Sequence, residues 1–351
     1  MRKWIIFFIT ACLLIGIWAL SADKRKGNGE QEETSGYAFD GDKRRSSRMG
    51  FDSYKLEEMF VWDFWYARQG DEVHAFYLQY PRAGDPEYIH SRQSVGHAVS
   101  KDLLHWEERP LALQALPGTW NDKGIATGSV VFKDGAWYML FTGNSNRDEG
   151  GIGLAKSDDL TNWTKVGDGP VIPRPDPIAA KWQGETIEAS PLADPFVYPE
   201  KIDGWYYMVI NAQAVNAPQD SRGCQLMLRS RNLTDWEPHK IVAYPQQFER
   251  METSQIWNRN GIWYMYFGGV TGYGTFENWI YVSEQFDGPY EARPWSRISL
   301  PDAGHFYIAK VVEDTNGDDI FLANNAIESL LGGYRVVYGE DGSVTLAERG
   351  R

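Results

Sequence analysis

The chain has 351 residues, of which 42% are hydrophobic and 15 are tryptophan, and a formal net charge of −13. That length suits one large domain or two ordinary ones and supplies ample apolar material for a core. An acidic balance without a basic face excludes a nucleic-acid partner gripped through its phosphates, and it suits an uncharged substrate.

Arg2 and Lys3 precede an apolar run from Trp4 to Leu20, which ends at Ser21-Ala22 before Asp23-Lys24-Arg25-Lys26. A basic start, a hydrophobic run and small residues at its end mark an export segment, so residues 1–22 are expected to be a signal peptide or membrane anchor. The protein is therefore expected to be exported, whether secreted, periplasmic or anchored at the cell surface, and any membrane attachment is expected through this segment alone. Ile9-Thr10-Ala11-Cys12 resembles a lipoprotein box, but Leu13 to Leu20 stays apolar where a polar tether would follow, which favours secretion or a retained anchor over lipidation. Residues 23–55, polar and charged, read as a flexible tether. The cysteines are Cys12 and Cys224; with Cys12 in the export segment no disulfide framework is available, and stability must come from the core.

From residue 56 onward the chain repeats. Ser100-Lys101-Asp102-Leu103-Leu104-His105-Trp106, Ser157-Asp158-Asp159-Leu160-Thr161-Asn162-Trp163 and Ser230-Arg231-Asn232-Leu233-Thr234-Asp235-Trp236 are close copies, and Ser283-Glu284-Gln285-Phe286 opens a degenerate fourth. Before each copy lies an aromatic run with strand composition: His74 to Leu78, Trp137 to Phe141, Trp205 to Val209 and Trp263 to Phe267, with a weaker fifth at Asp319 to Ala323. The serines are 57, 73 and 53 residues apart, room for about four short strands per unit. Residues 56–351 are therefore expected to form an all-β, single-domain, five-bladed β-propeller; a two-sheet sandwich is the alternative that also uses many short strands.

In chain order, blade one opens near Phe60 and blade two at Ile125, followed by a Pro-rich connection from Pro173 to about Glu185. Blade three opens at Ser190, blade four at Arg250 and blade five near His305. The first strand of a blade lines the central channel, so the residues opening these strands should meet at one mouth of it. Three openings carry a carboxylate amid apolar residues: Asp63, Asp194 and Glu252. Any one alone reads as a structural cap, because a buried carboxylate needs partners or a shifted pKa. Three at equivalent positions suit glycosidic cleavage, which needs one carboxyl kept protonated and one ionised.

These residues resemble the five-bladed propeller glycoside hydrolases, above all family 32, the β-fructosidases. Gly96-His97-Ala98-Val99-Ser100-Lys101-Asp102-Leu103 is similar to that family's G-H-A-V-S-K-D-L segment, Phe76-Tyr77-Leu78-Gln79-Tyr80-Pro81 to its F-Y-Q-Y-N-P strand, and Ala126-Thr127-Gly128-Ser129 to its F-S-G-S. The resemblance implies Asp63 as nucleophile, Asp194 as transition-state stabiliser and Glu252 as acid/base. Departures from the pattern imply an altered sugar pocket: Ala193 replaces an arginine, Thr253 a cysteine and Val95 a tryptophan. The C-terminal β-sandwich of the family is not expected here. Asp302-Ala303-Gly304-His305 is similar to the G-H element of family 43, which like family 117 inverts; family 32 resemblance implies retention, and the sequence leaves the choice open.

No cofactor is expected to be required. No His/Cys cluster has ligand spacing, so no metal ligand is assigned; a Ca²⁺ ion in the central channel beside His305 is the one metal the family 43 likeness would allow. Trp62, Trp65 and Trp120 could stack on sugar rings, Trp120 from an exposed polar run, while Gln79, Asp122, Thr127 and His305 could contact hydroxyls. Trp106, Trp163 and Trp236 are expected in the core. The function expected is exo-hydrolysis of a furanoside in an oligo- or polysaccharide. A same-clan arabinofuranosidase, xylosidase or galactan-type hydrolase and a non-catalytic glycan-binding propeller are the alternatives.

Overall fold

The structure is a computed structural model that describes residues 52–146, 150–174, 177–301 and 306–349, together with the backbone but not the side chain of Leu192. Residues 1–22, His305 and most of the 23–55 segment lie outside the described residues.

The described residues form five antiparallel sheets, with helical structure limited to single 3-10 turns at Pro86–Tyr88 and Gln219–Ser221. Blade one runs Met59–Gln69, Glu72–Pro81, Ser94–Ser100 and Glu107–Leu113. Blade two begins Gly124–Lys133, Ala136–Asn144 and Gly151–Ser157, and the short strands Thr164–Lys165 and Ile172–Pro173 both pair with its third strand. Blade three has five strands, ending Glu185–Val197, Tyr206–Ala214, Gly223–Ser230 and Trp236–Ala243. Blade four is Arg250–Arg259, Ile262–Val270, Phe276–Ser283 and Arg297–Ile298. Blade five contains Ala309–Glu313, Asp319–Asn325, Tyr334–Tyr338 and Val344–Glu348. The all-β, five-bladed propeller is thus the fold adopted, and no β-sandwich follows the fifth blade among the described residues.

Two boundaries differ from those expected. The Pro-rich connection contains a strand, Ile178–Trp182, that turns at Gln183-Gly184 (φ 47° and 91°) and pairs with Glu185–Ala189. Two consecutive positive-φ residues are the requirement of a tight hairpin turn, and this signal was masked by the neighbouring prolines. Asp52–Tyr54, within the segment expected as tether, pairs with Ser329–Leu331 of blade five. The propeller therefore includes residue 52, and this first described strand is hydrogen-bonded into blade five.

The aromatic runs follow from the architecture. A blade is covered on both faces, so alternate residues of one strand serve two different interfaces. In blade three Tyr206, Met208 and Ile210 enter the core shared with blade two, while Tyr207 and Val209 enter the core shared with blade four. In blade four Tyr264 and Tyr266 face blade five, and Met265 and Phe267 face blade three. Further cores fill the interfaces of blades one and two and of blades five and one.

The repeated Ser-x-Asp-Leu-x-x-Trp stretch closes each hairpin's outer end. Ser100 Oγ accepts from the amides of Asp102 and Leu103, and the Asp102 carboxylate accepts from those of Leu104 and His105. Asp159 and Asn232 repeat this pattern. Each leucine sits at positive φ (62°, 63° and 73°) and is fully buried, and Trp163 and Trp236 donate their indole N–H to the leucine carbonyl. Side-chain oxygens thus satisfy the amides of a turn that would otherwise open.

Candidate active site

In the first strands of blades one to four the pairing register slips at the channel: between Trp62 and Trp65, Ala126 and Gly128, Pro191 and Phe196, and Glu252 and Gln255. Asp63 (φ 51°), Asp194 (φ 61°) and Thr253 (φ 52°) occupy three of these bulges in the left-handed region. Side chains there cost on the order of 1 kcal/mol each, and such bulges serve to re-aim a side chain out of the pleat. Here they turn polar groups toward the channel axis.

A chain of hydrogen bonds then joins all five blades. Thr127 Oγ1 donates to Asp63 Oδ2. Thr142 Oγ1 donates to the Thr127 carbonyl at 3.2 Å and accepts from the Asp194 amide at 3.0 Å. Asp194 Oδ2 accepts from the Thr253 amide at 3.0 Å. Lys310 Nζ, from blade five, donates to the carbonyls of Thr253 and, at 3.1 Å, Ser254. Each blade contributes at least one member, and Asp63 and Asp194 are held by bonds between neighbouring blades.

Asp63 is 6% and Asp194 9% exposed, whereas the Glu252 side chain is 18% exposed and pairs with Arg250 at 3.3 Å. Burial pushes Asp63 up to about 8, Asp194 and Glu252 push it further, and the Thr127 hydroxyl and Lys310 oppose them. Burial likewise takes Glu252 up to about 7, against Arg250 and with Asp194 and Glu249. Burial also raises Asp194, held back by the Thr253 amide, Lys310 and Arg250. The group therefore releases protons near neutrality, and around pH 7 to 8 it holds a proton shared among its members. An acid and an ionised carboxylate can then coexist, as glycosidic cleavage requires.

The two ends of Asp63 differ. Oδ2 is fixed by Thr127, while Oδ1 is buried with no hydrogen-bond partner among the described residues. A buried, unpaired carboxylate oxygen is costly to maintain and suits a reacting atom. Glu252 is the least buried of the three carboxyls. Glu249, the alternative acid, pairs with Arg222 at 3.3 Å, as Glu252 does with Arg250.

The expected substrate contacts fare unevenly. Trp62 is 1% exposed and packs edge-on to His90, and Trp65 is 2% exposed in the same core. Trp120 was expected to be exposed and is not: it is 9% exposed, stacked on Phe141 at 5.9 Å, because Gly143 and Gly153 leave room where a Cβ would meet its ring. Asp122 accepts from the Asn146 amide at 2.9 Å, which ties it to the loop before blade two's third strand. Thr127 serves Asp63 rather than standing open to a hydroxyl. Gln79 Oε1 is buried without a partner and remains a candidate contact. His97, from the Gly-His segment, is fully buried against His74 (2.9 Å) and stacked on Phe76, with burial lowering it to about 3. It is a neutral core residue.

Sequence reasoning missed Lys310 and Tyr307. Lys310 carried the signal that singled out the carboxylates, a lone charge in an apolar first strand, Ile308-Ala309-Lys310-Val311-Val312. Burial raises Tyr307 well above the ordinary phenol, and Asp63, Glu252 and Asp194 add to the shift, so its hydroxyl stays protonated beside all three. Among the described residues no His/Cys/Asp/Glu group could hold a metal ion, and the channel's positive charge comes from Lys310 and Arg250.

Fold and site together define a five-bladed propeller whose first strands bring Asp63, Asp194 and Glu252 into one electrostatically coupled group. Residues 64–325 match the glycosyl hydrolases family 32 N-terminal domain. The chain belongs to that family. Among relatives, it is 33% identical over 152 residues to the sucrose-6-phosphate hydrolase of Bacillus subtilis, covering 42% of this chain and 28% of that protein. It is 28% identical over 281 residues to that of Zymomonas mobilis, covering 72% and 50%. The chain thus spans half or less of the length of these curated relatives. In structure it resembles sucrose-6-phosphate hydrolase from Lactobacillus gasseri (TM-score 0.68, 17% identity, 86% of this chain and 64% of that one). It also resembles inulosucrase from Halalkalicoccus jeotgali (TM-score 0.65, 16% identity, 87% and 91%), a likeness of fold.

Proposed function

We propose that the protein is a glycoside hydrolase that removes a terminal β-fructofuranosyl residue, with Asp63 as nucleophile, Glu252 as general acid and base, and Asp194 stabilising positive charge at the ring. The observation that carries this reading is Asp63 itself, with one oxygen pinned by Thr127 and the other unpartnered, with Asp194 on the same chain of hydrogen bonds and Glu252 adjoining Thr253 of that chain. Asp63 Oδ1 attacks the anomeric carbon while Glu252 gives its proton to the departing oxygen; water then attacks the fructosyl ester, with Glu252 taking up its proton. Retention follows.

The substrate favoured is uncharged. Arg250 and Arg222 are each committed to a glutamate, and three carboxyls at the mouth repel a phosphorylated sugar. Export on residues 1–22 belongs to the same proposal and fits an extracellular oligosaccharide. A screen of sucrose, sucrose 6-phosphate, fructo-oligosaccharides and aryl glycosides of fructose, arabinose, xylose and galactose tests it. Fructose release from unphosphorylated fructosides is expected. Release of another sugar alone would move the assignment within the clan, and binding without hydrolysis of any would make the protein a glycan-binding propeller. Fractionation of expressing cells tests export, which retention of the full-length chain in the cytoplasm would contradict.

A further inference from the structure

Lys310 is 6% exposed, and its ammonium has no role in the double displacement written above. Burying a lysine costs several kcal/mol unless its charge is compensated. Two carbonyls, of Thr253 and Ser254, receive its N–H groups. The strand that carries it is fixed from blade four: the Ala309 amide donates to Tyr266 Oη at 2.9 Å, Tyr266 donates to Asn278 at 2.5 Å, and Asn278 Nδ2 donates to the Phe306 carbonyl at 2.9 Å. This anchoring of the strand, whose pairing shows no register slip among the described residues, holds the ammonium on the carbonyl of Thr253, the residue whose amide binds Asp194 Oδ2.

We propose that Lys310 is the built-in counter-ion of the carboxylate set: a positioning residue that favours the ionised forms of Asp194 and Asp63. The groups facing this arrangement are Asp63 of blade one, Asp194 of blade three, Arg250, Glu252 and Tyr266 of blade four, and Tyr307 of blade five. Arg250 lies directly on Glu252, so its charge is spent largely there. Burial lowers Lys310 to about 8, and Asp194 and Asp63 oppose that loss of its proton, as Lys310 in turn favours their ionised forms. Glu252 thus lies under Arg250, Asp63 under Lys310, and Asp194 under both. The structural alternative is a lysine that merely bridges two carbonyls of a bulge.

This inference rests on the hydrolase reading of the triad, and its test separates the two. In Lys310→Met, which keeps the length of the side chain and removes the charge, the acidic limb of the kcat/KM profile should move up by about one pH unit, with kcat lowered on the order of ten- to a hundredfold and KM within about threefold. Lys310→Arg, retaining the charge, should lie closer to wild type in pH profile. An unshifted acidic limb in Lys310→Met would overturn the counter-ion role while leaving the hydrolase reading intact. A stability cycle of Lys310→Met and Asp194→Asn reads the same coupling without activity. The melting-temperature loss caused by Lys310→Met should be smaller in the Asp194→Asn background, and additive losses would overturn the inference even if no sugar were ever hydrolysed. Should Lys310→Met fail to fold, folding of the double variant is the supporting result and failure of both the contradicting one.

Discussion

Asp63 and Glu252 are held where a carboxyl is least comfortable, and both activity and stability should register it. Glu252→Gln keeps the shape of the side chain and removes the proton it would donate, so kcat should fall by roughly a hundredfold or more with the fold unchanged, as steady-state kinetics and circular dichroism would show. The pH dependence follows from the same values. Activity requires Asp63 charged and Glu252 protonated; with Asp63 pushed up to about 8 and Glu252 to about 7, that is the minor form of the singly protonated pair, so activity should peak between 7 and 8 and fall as the pair gains a second proton on the acid side or loses its last one on the alkaline side. Stability moves the other way from an ordinary carboxylate. The folded-state pKa of Asp63 is raised to about 8, so between the ordinary carboxylate range and about 8 the folded chain holds a proton that the unfolded chain has lost. Stability therefore declines as pH rises through that window. Asp63→Asn should melt higher than wild type, by more at pH 8 than at pH 5, in thermal scans; an equal gain at both would show that charge burial is not the cause.

At the scale of the element, the repeat and the bulge divide the labour. The Ser-x-Asp-Leu-x-x-Trp turn was legible because it is local: its hydrogen bonds join residues two or three apart, and its pattern recurs in register with the aromatic runs. It is remote from chemistry, so Ser230→Ala, which leaves the amides of Asn232 and Leu233 without their acceptor, should cost about 1–3 kcal/mol in denaturant unfolding and leave kcat unchanged. The bulges were not legible. Nothing in Val61-Trp62-Asp63-Phe64 states that Asp63 will take a positive φ, since the cause is a pairing slip against a strand residues away. Trp120 failed for a related reason: its neighbours in sequence are polar, and only the glycines of two other strands show that it packs inward. Lys310 could have been read by the rule that found the acids, which had been applied only to carboxylates.

Across the whole molecule, the site exists because the ring closes. Alternation of aromatic and aliphatic residues on each blade fills five interfaces, and this part of the fold was legible from composition and period alone. Closure by Asp52–Tyr54 was not, because a three-residue strand in a polar stretch carries no periodic signal. Tyr54 is buried, bonds Tyr77 at 2.7 Å and seals the interface of blades five and one. A chain starting at residue 56 should therefore melt several degrees below one starting at residue 23, by calorimetry, as expected if losing a buried aromatic costs about 3–5 kcal/mol. The hydrogen-bond chain from Asp63 through Thr127, Thr142, Asp194 and Thr253 to Lys310 crosses every blade, so the stretched or opened ring should lose activity before it loses its strands.

The central claim is that Asp63 attacks the anomeric carbon of a β-fructofuranoside and that Glu252 supplies the proton. The most direct measurement is time-resolved proton NMR of an unphosphorylated fructo-oligosaccharide with methanol as acceptor, for wild type and Asp63→Ala side by side. Methyl β-D-fructofuranoside, configuration retained, is the product predicted for wild type, and none for the variant. Turnover by Asp63→Ala at the wild-type rate, or products of inverted configuration, would contradict the account.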